Sequence, residues 1–369
     1  METRKGMSRS KPVQVIVVGC GAVSQFFYSP ALLTLQQAEI IEVSGLVDPQ
    51  DQARSELQKS FPEARPHVEL ASCPIDPNTL VIIASPPKFH ATQTIFALQH
   101  GAAVLCEKPM AWNSAEAESM VHASRENKAV LAVGLYKRFF PAAEAIKSII
   151  EKQPLGKLRN FTVHEGARFE WAAASNSYFN RELTPGGVLY DIGVHLVDLL
   201  LWWLGEPASF SYRDDAMGAI EVNCEIELTY KEDVSGSVRL SRDWETANRY
   251  TFFFERGTVI QEVNKANRLG ISLNGMPFVL TGELNAVTSK TFGRFGEFAT
   301  RSTEQSFIEQ LRNVIGAMRG QQTLRVPGEE GIRSLRFIEQ CYAKRKLMDM
   351  PWLTTQERNA AKTLSGEDS

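Results

Sequence analysis

The sequence predicts an α/β domain with a doubly wound parallel sheet, followed by an α+β domain with an open, mostly antiparallel sheet. Three observations predict this. At 369 residues the chain is too long for one ordinary core. From Val13 to Gly134, short apolar runs rich in β-branched residues alternate with helical stretches, the rhythm of parallel strands joined by right-handed crossovers. Beyond Tyr136 the apolar period changes to two, as in strands with one buried and one wet face. The resulting bounds are 1–12 as a disordered tail, 13–135 and 136–352 as the two domains, and 353–369 as a C-terminal tail.

In order, Val13–Val18 is an unbroken apolar strand that runs into Gly19-Cys20-Gly21 and a helix. Strands follow at Ile40–Val47, ending on Asp48-Pro49, and at Leu80–Ala84, ending on Ser85-Pro86-Pro87. A helix over Ala91–His100 leads through Gly101 to a strand at Ala103–Cys106, and a helix over Ser114–Asn127 to a strand at Ala129–Gly134. In the second half, Val222, Cys224, Ile226, Leu228 and Tyr230 alternate with polar residues. Leu158–Phe169, Val234–Leu240 and Tyr250–Phe254 are further strands, with turns at Arg256-Gly257 and Asn274-Gly275. Helices over Glu304–Arg319 and Glu329–Leu347 close the fold, and the polar tail after Trp352 is expected to be frayed.

Composition narrows the function classes. The net charge of −3 comes from 40 basic and 43 acidic residues with no block of one sign, which argues against a nucleic-acid or anionic-membrane surface. Met1–Ser10 is polar and basic and leads into no apolar signal core, and Leu196–Leu204 is too short to span a bilayer. Five widely spaced cysteines form neither a disulfide framework nor a zinc pattern, so no metal is expected and a reducing cytoplasm is the simplest location.

The chemistry-bearing segments begin at the glycine turn. Gly19 and Gly21 stand between a strand and a helix that opens with Ala22 and Val23, where a pyrophosphate can approach backbone N–H groups at a helix N-terminus. Ser24 occupies the third position of that fingerprint, where glycine or alanine is usual. Asp48 ends the second strand, where a carboxylate holds both adenosine ribose hydroxyls and repels a 2′-phosphate; no basic residue follows until Arg54. NAD is therefore expected over NADP.

Two more segments complete the set: Glu107-Lys108-Pro109 at a strand end, and Gly186-Gly187-Val-Leu-Tyr-Asp191-Ile-Gly193-Val-His195-Leu-Val-Asp198. With the glycine turn, Ser85-Pro86-Pro87-x-x-His90 and Lys137-Arg138-Phe139, they resemble the glucose–fructose oxidoreductase / inositol dehydrogenase / rhizopine catabolism (Gfo/Idh/MocA) oxidoreductase family from about Val13 to Met348. The resemblance implies a Rossmann domain followed by an open antiparallel sheet. It also implies oxidation or reduction of a secondary alcohol or ketone on a sugar, nucleotide sugar or cyclitol by hydride transfer. It places Lys108 between nicotinamide and substrate, with Asp191 and His195 as the substrate-contacting pair and His195 as acid/base. Gly186 and Gly187 would let the chain pass close under the substrate, and the Lys108–Pro109 bond would be cis. Ser85, Pro86, His90, Glu107 and Arg138 join the cofactor side. The family's habit of associating through the open sheet implies a homodimer or homotetramer.

The residues agree with those roles. On a helix, the i, i+4 spacing puts the Asp191 carboxylate and the His195 imidazole on one face. Histidine accepts an alcohol proton near neutral pH, and a lysine stabilises charge developing on the oxygen. Arg168, Trp171 and Tyr178, in the polar connection before Gly186, are further candidates for the substrate pocket. Asp198 reads as structural, and His100 as a helix-end cap. Two other readings stay open on the same fold: a glycoside hydrolase that keeps NAD bound, and a non-catalytic NAD-binding regulator, against which stands the presence of both Lys108 and His195.

Overall fold

The computed structural model describes residues 11–168, 182–217, 220–263, 265–284, 303–351 and 353–365. The first sheet contains β1 (Val13–Val18), β2 (Ile41–Val47), β3 (Arg65–His67), β4 (Thr79–Ile83), β5 (Ala103–Cys106) and β6 (Leu131–Val133), all parallel, in the order β3-β2-β1-β4-β5-β6. This is the doubly wound order, with its switch point between β1 and β4, where a ligand crevice opens at the carboxyl ends of the strands. Its helices are α1 (Ser29–Gln37), α2 (Asp51–Gln58), α3 (Pro87–Gln99) and α4 (Ser114–Glu126).

Strand alternation divides the core in two. Val13, Val15, Val17, Leu80, Ile82 and Leu105 point to one face, and Ile16, Val18, Val81, Ile83 and Val104 to the other. The first face is covered by α1 and by α8 (Thr303–Met318), a helix from far along the chain that inserts Phe307, Leu311 and Val314.

The second sheet is mixed and mostly antiparallel. After α5 (Pro141–Lys152) come β7 (Leu158–Gly166), α6 (Val188–Asp191), α7 (Gly193–Leu204), β8 (Ser209–Asp214), β9 (Asn223–Thr229), β10 (Ser235–Ser241), β11 (Arg249–Phe254), β12 (Gly257–Glu262), β13 (Arg268–Leu273) and β14 (Val279–Glu283). With β15 (Arg345–Leu347) at the edge, the order is β14-β13-β12-β11-β7-β10-β9-β8-β15, with parallel pairing only at β7–β10 and β8–β15 among the described strands. Cys224, Ile226 and Leu228 are buried while Glu227 and Thr229 are exposed, as the period of two requires. The apolar α7 and the inner face of the amphipathic α9 (Gly328–Ala343) pack into the same core as residues of both sheets.

Two sequence expectations are corrected near the C-terminus. The last long helix stops at Ala343, and Arg345–Leu347 forms β15 beside β8, where Arg345 Nε donates to the buried Asp214 at 2.6 Å. The tail after Trp352 carries α10 (Thr355–Ser365) rather than fraying. A capping box starts that helix: Thr354 N–H donates to Glu357 Oε2 at 2.8 Å, and Glu357 N–H donates back to Thr354 Oγ1 at 3.3 Å.

Candidate active site

The glycine turn sits at the end of β1. Gly19 has φ +89°, and a Cβ there would lie 2.5 Å from the backbone of Ala84 and Ser85, so only glycine fits. A Cβ on Gly21 would meet nothing within 4 Å, leaving an open cradle where a dinucleotide backbone can approach. Ser24 explains its own departure from the fingerprint: its buried hydroxyl donates to Gly19 O at 2.5 Å, tying the turn to the π-helical turn Ser24–Tyr28 that follows Ala22 and Val23. Asp48 Oδ2 accepts Cys20 N–H at 2.9 Å and Oδ1 accepts Gln50 N–H at 2.8 Å, which fixes the carboxylate beside the turn. Arg54 folds onto the Asp48 carbonyl and pairs with Asp51 at 2.8 Å. The donor set fits a nicotinamide dinucleotide.

The ends of β4 and β5 bring the next residues to the same crevice. His90 is buried, with Nε2 2.7 Å from Ser85 O and Nδ1 2.9 Å from Pro109 O, so it braces the Ser85-Pro86 loop against the Lys108 loop. Glu107 is also buried; Oε1 accepts Tyr28 O–H at 2.6 Å and Oε2 accepts Lys108 N–H at 3.0 Å. That bond links the helix of the glycine turn to the strand end carrying Lys108. The Lys108–Pro109 bond is cis.

Lys108 reaches across to α6. Its Nζ donates to Asp191 Oδ1 at 2.9 Å and to Asp191 O at 3.1 Å. Asp191 Oδ2 is held by Arg242 Nη2 from the end of β10. Ile192 keeps helical φ/ψ between α6 and α7, so His195 follows Asp191 on a nearly continuous helix. Tyr136 meets the His195 ring edge-on, with centroids 4.9 Å apart. A second buried group adjoins: Lys137 Nζ lies 2.8 Å from both oxygens of Glu165, and Tyr250 O–H donates to Glu165 at 2.6 Å.

Electrostatics give these groups distinct characters. Burial, reinforced by the Lys108 and Lys137 ammoniums, holds the His195 imidazole well below its usual range and keeps it neutral at pH 7. Its Nδ1 is buried with no hydrogen-bond partner among the described residues. Burial raises the Asp191 carboxyl, while Lys108 pulls it back down. Burial likewise raises Glu107 against the opposing Tyr28 bond and Lys108 charge. The cluster therefore offers a neutral imidazole next to an ammonium whose orientation a carboxylate fixes.

Other predicted residues fall elsewhere. Arg138 is buried, with Nε 2.8 Å and Nη2 2.6 Å from Asp198 and Nη2 2.5 Å from Glu330, so its charge ties the turn before α5 to α7 and α9. Asp198 takes the structural role expected of it, and burial lifts its carboxyl to about 6 despite Arg138. Arg168 is exposed just past β7, and Trp171 and Tyr178 lie outside the described residues. At Gly186-Gly187 the chain itself leaves no room: a Cβ on Gly186 would lie 2.2 Å from Tyr342 Oη, and one on Gly187 1.9 Å from Glu221 O. Protein packing thus requires both glycines. Sequence reasoning missed Arg242 and Tyr136, which reach the cluster only through tertiary pairing.

The chain matches two family descriptions, "Oxidoreductase family, NAD-binding Rossmann fold" over residues 13–135 and "GFO/IDH/MocA C-terminal domain" over residues 143–260. It is 29% identical over 208 residues to D-glucoside 3-dehydrogenase of Escherichia coli (strain K12), covering 55% of this chain and 57% of that one. It is 28% identical over 205 residues to scyllo-inositol 2-dehydrogenase (NADP(+)) of Bacillus subtilis (strain 168), covering 55% of each. The matches thus span little more than half of those relatives. A levoglucosan dehydrogenase in complex with NADH and levoglucosan shares the fold with a TM-score of 0.75 at 16% identity, over 90% of this chain and 98% of that one.

Proposed function

We propose, for a chain that belongs to the GFO/IDH/MocA oxidoreductase family, that it is an NAD-dependent dehydrogenase acting on a secondary alcohol or ketone of a small polyhydroxylated substrate. The observation that carries this reading is the Lys108–Asp191 contact at 2.9 Å, with the neutral His195 one helical turn on. It forms at the end of β5, next to the crevice that the glycine turn opens.

When bound, the dinucleotide supplies the hydride acceptor or donor. The chain's own residues manage the proton and the oxygen. Burial of His195 Nδ1 leaves Nε2 as the nitrogen that takes the hydroxyl proton in oxidation and returns it in reduction. Lys108 stabilises the oxygen as it gains negative charge, and the bonds to Asp191 hold the ammonium there without reorganisation. Arg242 completes the Asp191 pair and keeps its carboxylate from turning away. NAD is favoured because Asp48 stands rigidly beside the turn and Arg54 is engaged with Asp51.

The test is a panel of sugars, sugar acids, nucleotide sugars and cyclitols with NAD⁺ and NADP⁺, followed by absorbance of the reduced cofactor. Turnover of at least one class with NAD⁺ preferred is expected. Tight dinucleotide binding with no turnover on the full panel contradicts the reading.

A further inference from the structure

The catalytic helix begins in an unusual way. The first N–H groups of a helix have no partner inside it, and a side chain at the N-cap normally supplies an acceptor. The N-cap of α6 is Gly187, which has no side chain. Three consecutive N–H groups instead end on one residue 34 positions later. Gly187 N–H donates to Glu221 Oε1 at 3.0 Å, Val188 N–H to Glu221 O at 3.0 Å, and Leu189 N–H to Glu221 Oε1 at 3.2 Å. The carboxylate also sits at the positive end of the helix, where a negative charge is favoured.

Glu221 is itself held. Only 2% of it is exposed, Tyr342 O–H from α9 donates to Oε1 at 2.7 Å, and Arg345 of β15 lies 3.7 Å from Oε2. The two glycines belong to the same construction, because the atoms their side chains would strike are Tyr342 Oη and Glu221 O. From this clamp the helix runs only one turn to Asp191, whose N–H donates to Gly187 O at 3.0 Å. A shift at Gly187 is therefore carried directly to the carboxylate that orients Lys108.

We infer that Glu221 is a positioning residue for hydride transfer: by clamping the first turn of α6 it sets where Asp191 meets Lys108 and Arg242. The inference rests on the dehydrogenase reading above. Tyr342 acts with it by holding the carboxylate in register.

Two variants of similar volume, Glu221→Leu, which removes the acceptor, and Tyr342→Phe, which removes its donor, test it in the full-length protein. Each is expected to lower kcat toward the alcohol by about 10- to 100-fold, because a displacement near 1 Å at a reacting group costs up to about 10²-fold. KM for NAD⁺ and the affinity for NADH, read by its fluorescence, are expected to stay at wild-type values. In a crystal structure of Glu221→Leu the Lys108 Nζ–Asp191 Oδ1 contact is expected to lengthen from 2.9 Å to beyond hydrogen-bond range. Unchanged kcat with an unchanged contact overturns the inference. A parallel fall in kcat, NADH affinity and melting temperature overturns it too, since that is the signature of general destabilisation. A wild-type protein with no turnover on the panel fails the dehydrogenase reading instead, and the crystallographic distance then decides the role of Glu221 alone.

Discussion

Replacing Arg138 by methionine separates two roles that the sequence cannot tell apart. The guanidinium is buried, contacts both oxygens of Asp198 and one of Glu330, and lies 5.3 Å over the Trp202 ring. Methionine fills much of the same space but leaves the buried Asp198 carboxylate without its direct partner, while Glu330 keeps Arg333 at 3.2 Å. Removing one partner of a buried pair costs about 3–5 kcal/mol. With an unfolding entropy of about 2.1 cal/mol/K per residue, a chain this long loses roughly 4–6 °C in melting temperature for that cost. The loss should shrink at low pH. Burial already raises Asp198 to about 6, and without Arg138 its carboxyl rises further. The folded variant then binds a proton that the unfolded chain releases above about pH 4, so its stability falls as pH rises through that window. Differential scanning fluorimetry at pH 5 and pH 8, together with NADH titration, reads both effects. A lower melting temperature, smaller in its deficit at pH 5, with unchanged NADH affinity is expected. A wild-type melting temperature with NADH affinity weakened tenfold or more would refute the ion-pair account and return Arg138 to the cofactor site.

Lys108→Met should lower kcat by about 10²–10³-fold and His195→Asn by about 10²–10⁴-fold, with NADH binding retained in fluorescence titrations of both. Because His195 is held well below its usual range, kcat/KM for oxidation should show no histidine limb between pH 8 and 6.5; a limb at or above 7 that vanishes in His195→Asn contradicts the assigned environment. The same depression makes the folded state lose stability as pH falls below about 6.5, where the unfolded imidazole takes up a proton and the folded one does not. Asp48→Asn should shift the ratio of kcat/KM for NADP⁺ over NAD⁺ upward by about tenfold or more, since it removes the charge that repels a 2′-phosphate; an unmoved ratio would take Asp48 out of cofactor choice.

Local pattern carried much of the fold. Val13–Val18 and Ala103–Cys106 coincide with β1 and β5 because strands buried on both faces are written as unbroken apolar runs. The alternation at Cys224, Ile226 and Leu228 located β9 for the complementary reason. β15 escaped because three residues have no period of their own and pair with β8 some 130 positions earlier. α10 did leave a signal, the Thr354-x-x-Glu357 capping box, overlooked because its surroundings are polar.

At the site, the motif residues Lys108, Asp191 and His195 were legible and do come together around one carboxylate and one helix. Arg242 was not, since its place depends on the register of β10 beside β7 and on the reach of its side chain to α6. Glu221 and Tyr342 were hidden for the same reason. Gly186 and Gly187 announced a close approach, but the sequence does not say what approaches; Tyr342 and Glu221 do.

The position of the reacting carbon tests the roles of Lys108 and His195 most directly. A crystal structure with the oxidised cofactor and a substrate analogue should place the carbinol carbon about 3–3.5 Å from nicotinamide C4. Its hydroxyl should lie within about 3.2 Å of both Lys108 Nζ and His195 Nε2. A nicotinamide ring bound away from the end of β5, or a hydroxyl that neither side chain can reach, would contradict those roles.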